Sequence, residues 1–324
     1  MRAVVCARYG GPEVLQLQQR PKPIPKNNEV LIKVYSGVVT AAGLIGRKGT
    51  PYFTRLISGL TKPKNDILGM EFAGEIEEIG NEVSSFKPGD EVFGLTGIKL
   101  GANAEYLCLP QESALIKKPT NLNFDEAVAI IEGGLTAINF LMHKGRVMPS
   151  QQVLINGASG SVGTASIQLA KHLGAEVTGV CSTVNLQMAQ SLGADEVIDY
   201  TLEDFARNGK TYDLIFDTVG KRSFPDCKNS MKPGGVFLNA AGLSTVFYML
   251  WTKLFGSKKA ILAATYMRSS ALIKEDLILL KQLLEEGAIQ PQIDRRYPLE
   301  EIARAHSYVE TGRKKGNVVV QIVR

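Results

Sequence analysis

The stretch VLINGASGSVG, Val153–Gly163, constrains the fold of this chain more than any other. Val153 to Ile155 is a short apolar run that predicts a buried strand. Gly157, Ala158, Gly160 and Gly163 follow at the close spacing of a tight turn. A helix pattern begins at once: Val162, Ala165, Leu169, Ala170 and Leu173 share one stripe, and Gly174 ends it. EVTGVC, Glu176–Cys181, then predicts a second buried strand. Strand, turn, helix and strand within about 30 residues form a unit suited to a mononucleotide. The small residues have separate tasks. A side chain at Gly160 would hold a pyrophosphate off the backbone, and one at Gly163 would hold the helix off the strand. Gly157, Ala158, Ser159, Gly160, Ser161, Val162 and Gly163 are therefore the expected phosphate cradle, with the first-turn N–H groups facing the charge. A simple packing turn is the weaker reading, because all four parts stand in order.

At 324 residues the chain is long enough for two domains with a sizeable core. A net charge of +5 is spread along it, and the densest basic runs, Lys62–Lys64 and Arg313–Lys315, are too short to point to nucleic acid. Cys6, Cys108, Cys181 and Cys227 are scattered without a CxxC pair, which predicts buried free thiols in a reducing compartment. MRAVVCARYG lacks the apolar core of a signal peptide, and no run is long enough to span a membrane. The expectation is a cytoplasmic protein.

Up to about Lys118 the chain is dense in short strand patterns and Gly/Pro turns: Ala3–Arg8, Val14–Gln18, Val30–Val39, Phe72–Ile79, Glu91–Gly94 and Ala104–Leu109. Helix patterns follow at Phe124–Ile131 and Gly134–Met142. Strands at Val153–Asn156, Glu176–Cys181, Glu196–Asp199, Leu214–Asp217, Val236–Ala240 and Ala260–Tyr266 then alternate with helices, the mark of a doubly wound parallel sheet. Helices at Leu277–Leu284 and Leu299–Val309 precede a last strand, Val318–Ile322, which is expected to return to the first domain.

The opening MRAVVCARYGGPEVLQL, then GMEFAGEIEEIG, FKPGDEVFG, GGLTAINFL, the glycine turn with its helix, LGADEVIDY, YDLIFDTVG and MKPGGVFLNAAG together resemble the zinc-independent medium-chain dehydrogenases/reductases of the quinone oxidoreductase type. The likeness covers nearly the whole chain. It implies an α/β protein with a GroES-like β-rich domain (residues 1–123 and 291–324) and a Rossmann domain (residues 124–290). It also implies a homodimer joined edge to edge near Ala260–Tyr266.

Similar alcohol dehydrogenases hold a catalytic zinc. The corresponding positions here are Thr40, Met70 and Glu132, a poor set for zinc, so no metal is expected. His143, His172 and His306 sit in helix patterns and read as packed or solvent-facing. Without a Lewis acid, oxidation of simple alcohols is disfavoured. Reduction of a quinone or enone needs only a hydride and a proton.

NAD-preferring sites place an acid at the end of the second strand. Here that strand ends in CSTVN, with no acid, and Ser182 and Asn185 can donate to a 2′-phosphate. NADPH is the expected cofactor and NADH the alternative. A plain N-cap is the competing reading of Ser182 and Asn185. The resemblance places Tyr200 near the adenosine, Thr136 near the nicotinamide, Val219 and Gly220 beside adenine or ribose, and Ala240, Ala241 and Gly242 under the nicotinamide ring. Asn317 falls where relatives often carry Lys. Tyr52, in RKGTPYF, stands where similar enzymes have a cleft tyrosine that donates a proton or stacks; an ordinary loop aromatic competes with that role. Thr40 replaces an Asn common in the family and can bond a substrate carbonyl, Gly43 replaces an Asp, and Glu132, if buried, is a candidate proton donor. Solvent protonation is the favoured alternative.

Val246–Phe255 is the most apolar and aromatic stretch, and its readings rank as pocket wall, subunit contact, then membrane patch. Functionally, an NADPH-dependent quinone or enone reductase leads. An enoyl-thioester reductase, with Lys62, Lys64 and Lys99 as a basic rim, a zinc-free alcohol dehydrogenase-like enzyme, and an NADPH-binding sensor without turnover are the alternatives.

Overall fold

A computed structural model describes residues 1–240, 245–254 and 256–323. Two compact units emerge. The first comprises residues 1–132, 269–285 and the stretch from Pro291 onward; the second comprises Gly133–Arg268 and Glu286–Gln290.

The first unit begins with β1 (Arg2–Cys6) and β2 (Leu15–Gln19), an antiparallel pair. β3 (Glu29–Val38), α1 (Ala41–Lys48), the single turn α2 (Arg55–Ser58), β4 (Glu71–Ile79), β5 (Glu91–Leu95), β6 (Tyr106–Pro110), β7 (Leu115–Lys117) and α3 (Phe124–Ala129) follow. α3 starts at a capping box in which Asn123 and Glu126 satisfy each other's backbone N–H groups. The chain then passes through α4 (Ile131–Ala137) and a π-helical turn (Ile138–Lys144) into the second unit. There it forms β8 (Gln152–Asn156), α5 (Ser161–His172), β9 (Glu176–Cys181), α6 (Leu186–Ser191), β10 (Glu196–Asp199), β11 (Tyr212–Asp217), α7 (Phe224–Cys227), β12 (Met231–Asn239), α8 (Thr245–Leu254) and β13 (Lys259–Leu262). α9 (Ser270–Glu285), β14 (Ile293–Pro298), α10 (Ile302–Glu310) and β15 (Asn317–Gln321) complete the first unit.

β3 is the first unit's hub. It pairs antiparallel with β15, β4 and β6, and its EVLIKVYSGV run is buried along almost all its length. The last strand thus closes the sheet opened near the N-terminus. α9 is tied to this unit by Asn121 Nδ2 donating to Leu284 O (3.0 Å) and Lys274 Nζ to Gln111 O (3.4 Å).

The second unit carries a parallel sheet in the order β10-β9-β8-β11-β12-β13. Its strands are apolar runs because helices cover them, and Leu154, Val180, Ile198, Ile215 and Phe237 pack into one core. From β8 the chain winds outward to β9 and β10, then crosses back to β11 on β8's other side. The loops after β8 and β11 therefore diverge and leave a crevice at the carboxyl ends.

The structure corrects several expectations. The strand expected over Ala260–Tyr266 stops at Leu262, and Thr265–Met267 is a 3₁₀ turn whose Thr265 hydroxyl accepts from Asn139 Nδ2 (3.1 Å). The helix expected over Gly134–Met142 is divided between α4 and the π-turn, which closes with Gly145 N–H donating to Phe140 O (2.7 Å). β7 and β14 escaped the sequence. β14, IDRRYP, lies at a sheet edge with its charged residues outward, so it carries no apolar alternation.

Candidate active site

In the second unit the turn after β8 has the shape its glycines predict. Gly157 adopts φ +86°, and a Cβ there would lie 2.4 Å from Val219 Cγ2 and 2.5 Å from Thr218 Oγ1. A Cβ at Gly163 would sit 2.1 Å from Gly157 O and 2.8 Å from Ala158 Cα, so α5 can approach the turn only with glycine there. At Gly160 the nearest atom would be Gly157 O at 3.6 Å, so packing within the chain does not demand glycine. Gly160 is the N-cap of α5 and supplies no side-chain cap. The first-turn N–H groups of Ser161, Val162 and Gly163 thus have no capping side chain, and the buried Ser161 hydroxyl has no hydrogen-bond partner among the described residues. An uncapped helix N-terminus beside a glycine turn presents free N–H groups and a positive dipole end that favour an anion.

The turn after β11 is clamped onto this one. Asp217, fully buried, accepts from Asn156 Nδ2 (2.9 Å), Val219 N (3.1 Å) and Arg222 N (2.9 Å). Thr218 Oγ donates to Asn156 O (2.8 Å). This clamp sets the conformation of Val219, which is exposed, and of Gly220, at φ +76°. Sequence reading placed Val219 and Gly220 here and missed the residues that hold them; only the aspartate in DTVG hinted at the clamp. Ala240 follows β12, with its N–H on Asp217 O (3.1 Å). Ala241 and Gly242 lie outside the described residues. Thr136 is buried within α4.

At the end of β9, Asn185 Nδ2 donates to Ser159 Oγ (3.2 Å) and Ser182 Oγ (3.1 Å). The two residues read from CSTVN are thereby joined to the glycine turn. Ser182 and Asn185 hold N-cap positions, yet neither side chain makes a cap bond, so helix capping does not account for them. Asn185 Oδ1 is buried without a partner among the described residues. One acid comes close that the sequence pattern did not bring here. Asp199, from VIDY, accepts from Thr183 Oγ and from Thr201 N (2.9 Å) and Oγ (2.7 Å). Those hydroxyls hold its carboxyl below the usual range. Tyr200 follows, exposed, with its N–H on Cys181 O (3.1 Å).

In the first unit Thr40 is buried and caps α1, its Oγ1 accepting from Gly43 N (3.1 Å). Thr40, Gly43, Met70, Glu71, Asn103 and His306 face a small pocket of about 40 Å³, which Val38, Val39 and Leu68 also line. That is room for a single water. A larger groove of about 500 Å³, among Arg2, Pro298, Glu300, Gln321, Ile322 and Val323, holds no predicted site residue. Of the three histidines, His306 proves to be buried. Desolvation, reinforced by the Arg47 charge, pushes its imidazole down to about 3. Arg47 is wholly buried at the end of α1, where it forms an ion pair with Glu310.

The segment from Thr50 to Asp66, which reads as an open loop, contains a 3₁₀ turn (Tyr52–Thr54) and α2. Tyr52 is 72 % exposed. The Arg55 guanidinium lies 4.8 Å from its ring centroid and 4.5 Å from that of Tyr9. Arg55 Nε donates to Gly49 O (2.9 Å). Glu132 is buried, with Lys314 Nζ 3.9 Å from its carboxylate, a neighbour that sequence spacing could not reveal. Asn317 is also buried, its Nδ2 donating to Gln292 O (3.1 Å), so this amide is engaged within the first unit.

The alcohol dehydrogenase GroES-like domain family matches residues 26–120, and a family described as zinc-binding dehydrogenase matches residues 192–320. The chain is 32 % identical over 335 residues to a quinone oxidoreductase of Pseudomonas aeruginosa, covering 98 % of this chain and 99 % of that one. It is 30 % identical over 338 residues to an NADPH-dependent alkenal/one oxidoreductase of Arabidopsis thaliana chloroplasts, covering 99 % and 79 %. Its fold matches the quinone oxidoreductase structure from Coxiella burnetii with a TM-score of 0.88 at 28 % identity, over 100 % of this chain and 99 % of that one.

The zinc in the second family's description finds no matching donor set here. Thr40 is occupied as a cap, Met70 offers a soft thioether, and Glu132 is a hard carboxylate with a lysine beside it. Among the described residues no three His, Cys, Asp or Glu side chains are grouped to hold a metal.

Proposed function

The chain belongs to the medium-chain dehydrogenase/reductase superfamily, with quinone oxidoreductases among its relatives, and from that premise we propose that it is a metal-free, NADPH-dependent reductase of quinones or α,β-unsaturated carbonyls. The observation that carries the reading is the uncapped N-terminus of α5 beside a glycine, Gly160, that packing within the chain does not require. Its small size there makes sense if a pyrophosphate approaches the backbone.

The bound dinucleotide supplies a hydride. Ser161, Val162 and Gly163 hold the pyrophosphate by backbone N–H groups, and Gly157, Ala158 and Ser159 shape the bend beneath it. The Ser159 and Ser182 hydroxyls, whose oxygens accept from Asn185 Nδ2, keep their own protons to donate to a 2′-phosphate, which favours NADPH over NADH. The nearby Asp199 keeps both oxygens on the Thr183 and Thr201 groups. Tyr200, Val219 and Gly220 border the adenosine, and Thr136 with Ala240 borders the nicotinamide. On the substrate side, Thr40 and Tyr52 orient a carbonyl. The proton reaches the enolate from solvent, with Tyr52 or Glu132 as alternative donors. We further propose a cytoplasmic homodimer that uses the free edge of β13, the terminal strand of its sheet.

Oxidation of NADPH followed against a panel of quinones, enones and enoyl thioesters tests the proposal. Turnover with the first two classes is expected. Tight NADPH binding without turnover would replace the enzyme by a sensor. Glu132→Gln with unchanged turnover across pH would remove that carboxyl as donor.

A further inference from the structure

We propose that the outer face of α8 seats the protein peripherally on an anionic lipid surface. Phe247, Leu250, Trp251 and Leu254 stand at helical spacing on one stripe, and each is more than half exposed. The helix is fastened by the opposite choice of residues. Thr245 and Thr252 are its buried positions; Thr252 Oγ donates to Tyr248 O (2.7 Å) and accepts from Ala260 N (3.0 Å). Tyr248 leans on Phe224, with ring centroids 5.9 Å apart. A helix that turns threonines inward and phenylalanine, leucine and tryptophan outward has not placed its apolar stripe for its own core.

The charge around it selects the partner. Between Cys227 and Arg268 the chain holds Lys228, Lys232, Lys253, Lys258, Lys259 and Arg268 and not one acid. Of these, Lys232 is paired with Asp213, whereas Lys253 and Lys259 are exposed near the ends of the stripe. With no acid in this stretch, a second copy of this chain brings no opposite charge to this face, and the homodimer proposed above uses the edge of β13 instead. An anionic bilayer offers both an apolar layer and the opposite sign. At ten residues the helix is too short to cross, and among the described residues no helix is long and apolar enough to do so. It would lie in the interface plane.

Trp251 is the chain's only tryptophan, so its emission reports on this face alone. The full chain is mixed with phosphatidylcholine vesicles and with phosphatidylcholine/phosphatidylserine vesicles, and both emission and co-sedimentation are followed. The expected result is a blue shift and sedimentation with the anionic vesicles, reversed by salt. Phe247→Glu with Leu254→Glu should lower the partition at least about tenfold, and Lys253→Gln with Lys259→Gln roughly fivefold per charge. The second pair leaves the stripe intact and keeps the test decisive if the first misfolds. Unchanged emission and sedimentation, equal uptake by neutral vesicles, or unaltered binding of both variants would overturn the proposal. So would a dimer, seen by sedimentation velocity without lipid, that the glutamate variant loses while vesicles are ignored.

Discussion

Gly163 and Gly160 stand three residues apart, and the structure assigns them opposite sensitivities. In Gly163→Ala the new Cβ would lie 2.1 Å from Gly157 O and 2.8 Å from Ala158 Cα. Both are backbone atoms that no rotamer change can clear, so α5 or the turn must move by about 1 Å. Overpacking of this kind costs up to about 3 kcal/mol, and alanine's better helix propensity offsets about 1 kcal/mol. The net loss of about 2 kcal/mol corresponds to a fall in melting temperature of about 4–8 °C. In Gly160→Ala the nearest contact is 3.6 Å, so the apo protein should melt within about 2 °C of the parent. Its dinucleotide affinity should fall about 10- to 100-fold, because the methyl group keeps a phosphate from charge-assisted hydrogen bonds to the helix N-terminus. Calorimetric melting without ligand and titration with NADPH read the two effects separately. Undiminished NADPH affinity in Gly160→Ala would refute the phosphate assignment. A Gly163→Ala protein as stable as the parent would refute the packing argument.

Asn185→Asp places a negative charge beside Ser159 and Ser182, so NADPH affinity should drop about tenfold or more while NADH binding changes little; equal losses for both cofactors would discard the 2′-phosphate site. Arg55 lies beside the Tyr9 and Tyr52 rings, so Arg55→Met and Tyr52→Ala should couple by about 0.5–1 kcal/mol in kcat/KM of a double-mutant cycle, and additive effects would free Tyr52 from Arg55. His306 titrates near 3 in the fold, against about 6.5 unfolded, so the unfolded chain binds the extra proton between those values. Its contribution is whole above about pH 6.5 and declines as pH falls toward 3, by about 2 kcal/mol at pH 5. Urea midpoints at pH 7 and 5 should show that difference in the parent and lose most of it in His306→Gln.

The order of short apolar runs and small residues was enough to determine the β-rich part, the alternating strands and helices, and the glycine turn. Strand period, helix period and turn chemistry are local, and the steric demand at Gly163 comes from Gly157 and Ala158, a few residues away. The NADPH expectation likewise came from a local stretch, the acid-free STVN that succeeds EVTGVC. Tertiary packing alone decided what those residues meet. Asn156, Asp217 and Thr218 tie the two turns beside the crevice across strands that are neighbours in the sheet and about sixty residues apart in the chain. Lys314 reaches Glu132, and Arg47 shares a buried interior with His306, through contacts still more distant in sequence. VFYMLWTKLF reads as apolar nearly all round, so its letters could not say which side faces out. The buried hydroxyl of Thr252, held between Tyr248 O and the Ala260 N–H, chose that side, because a helix orients by what its neighbours accept and not by its own composition.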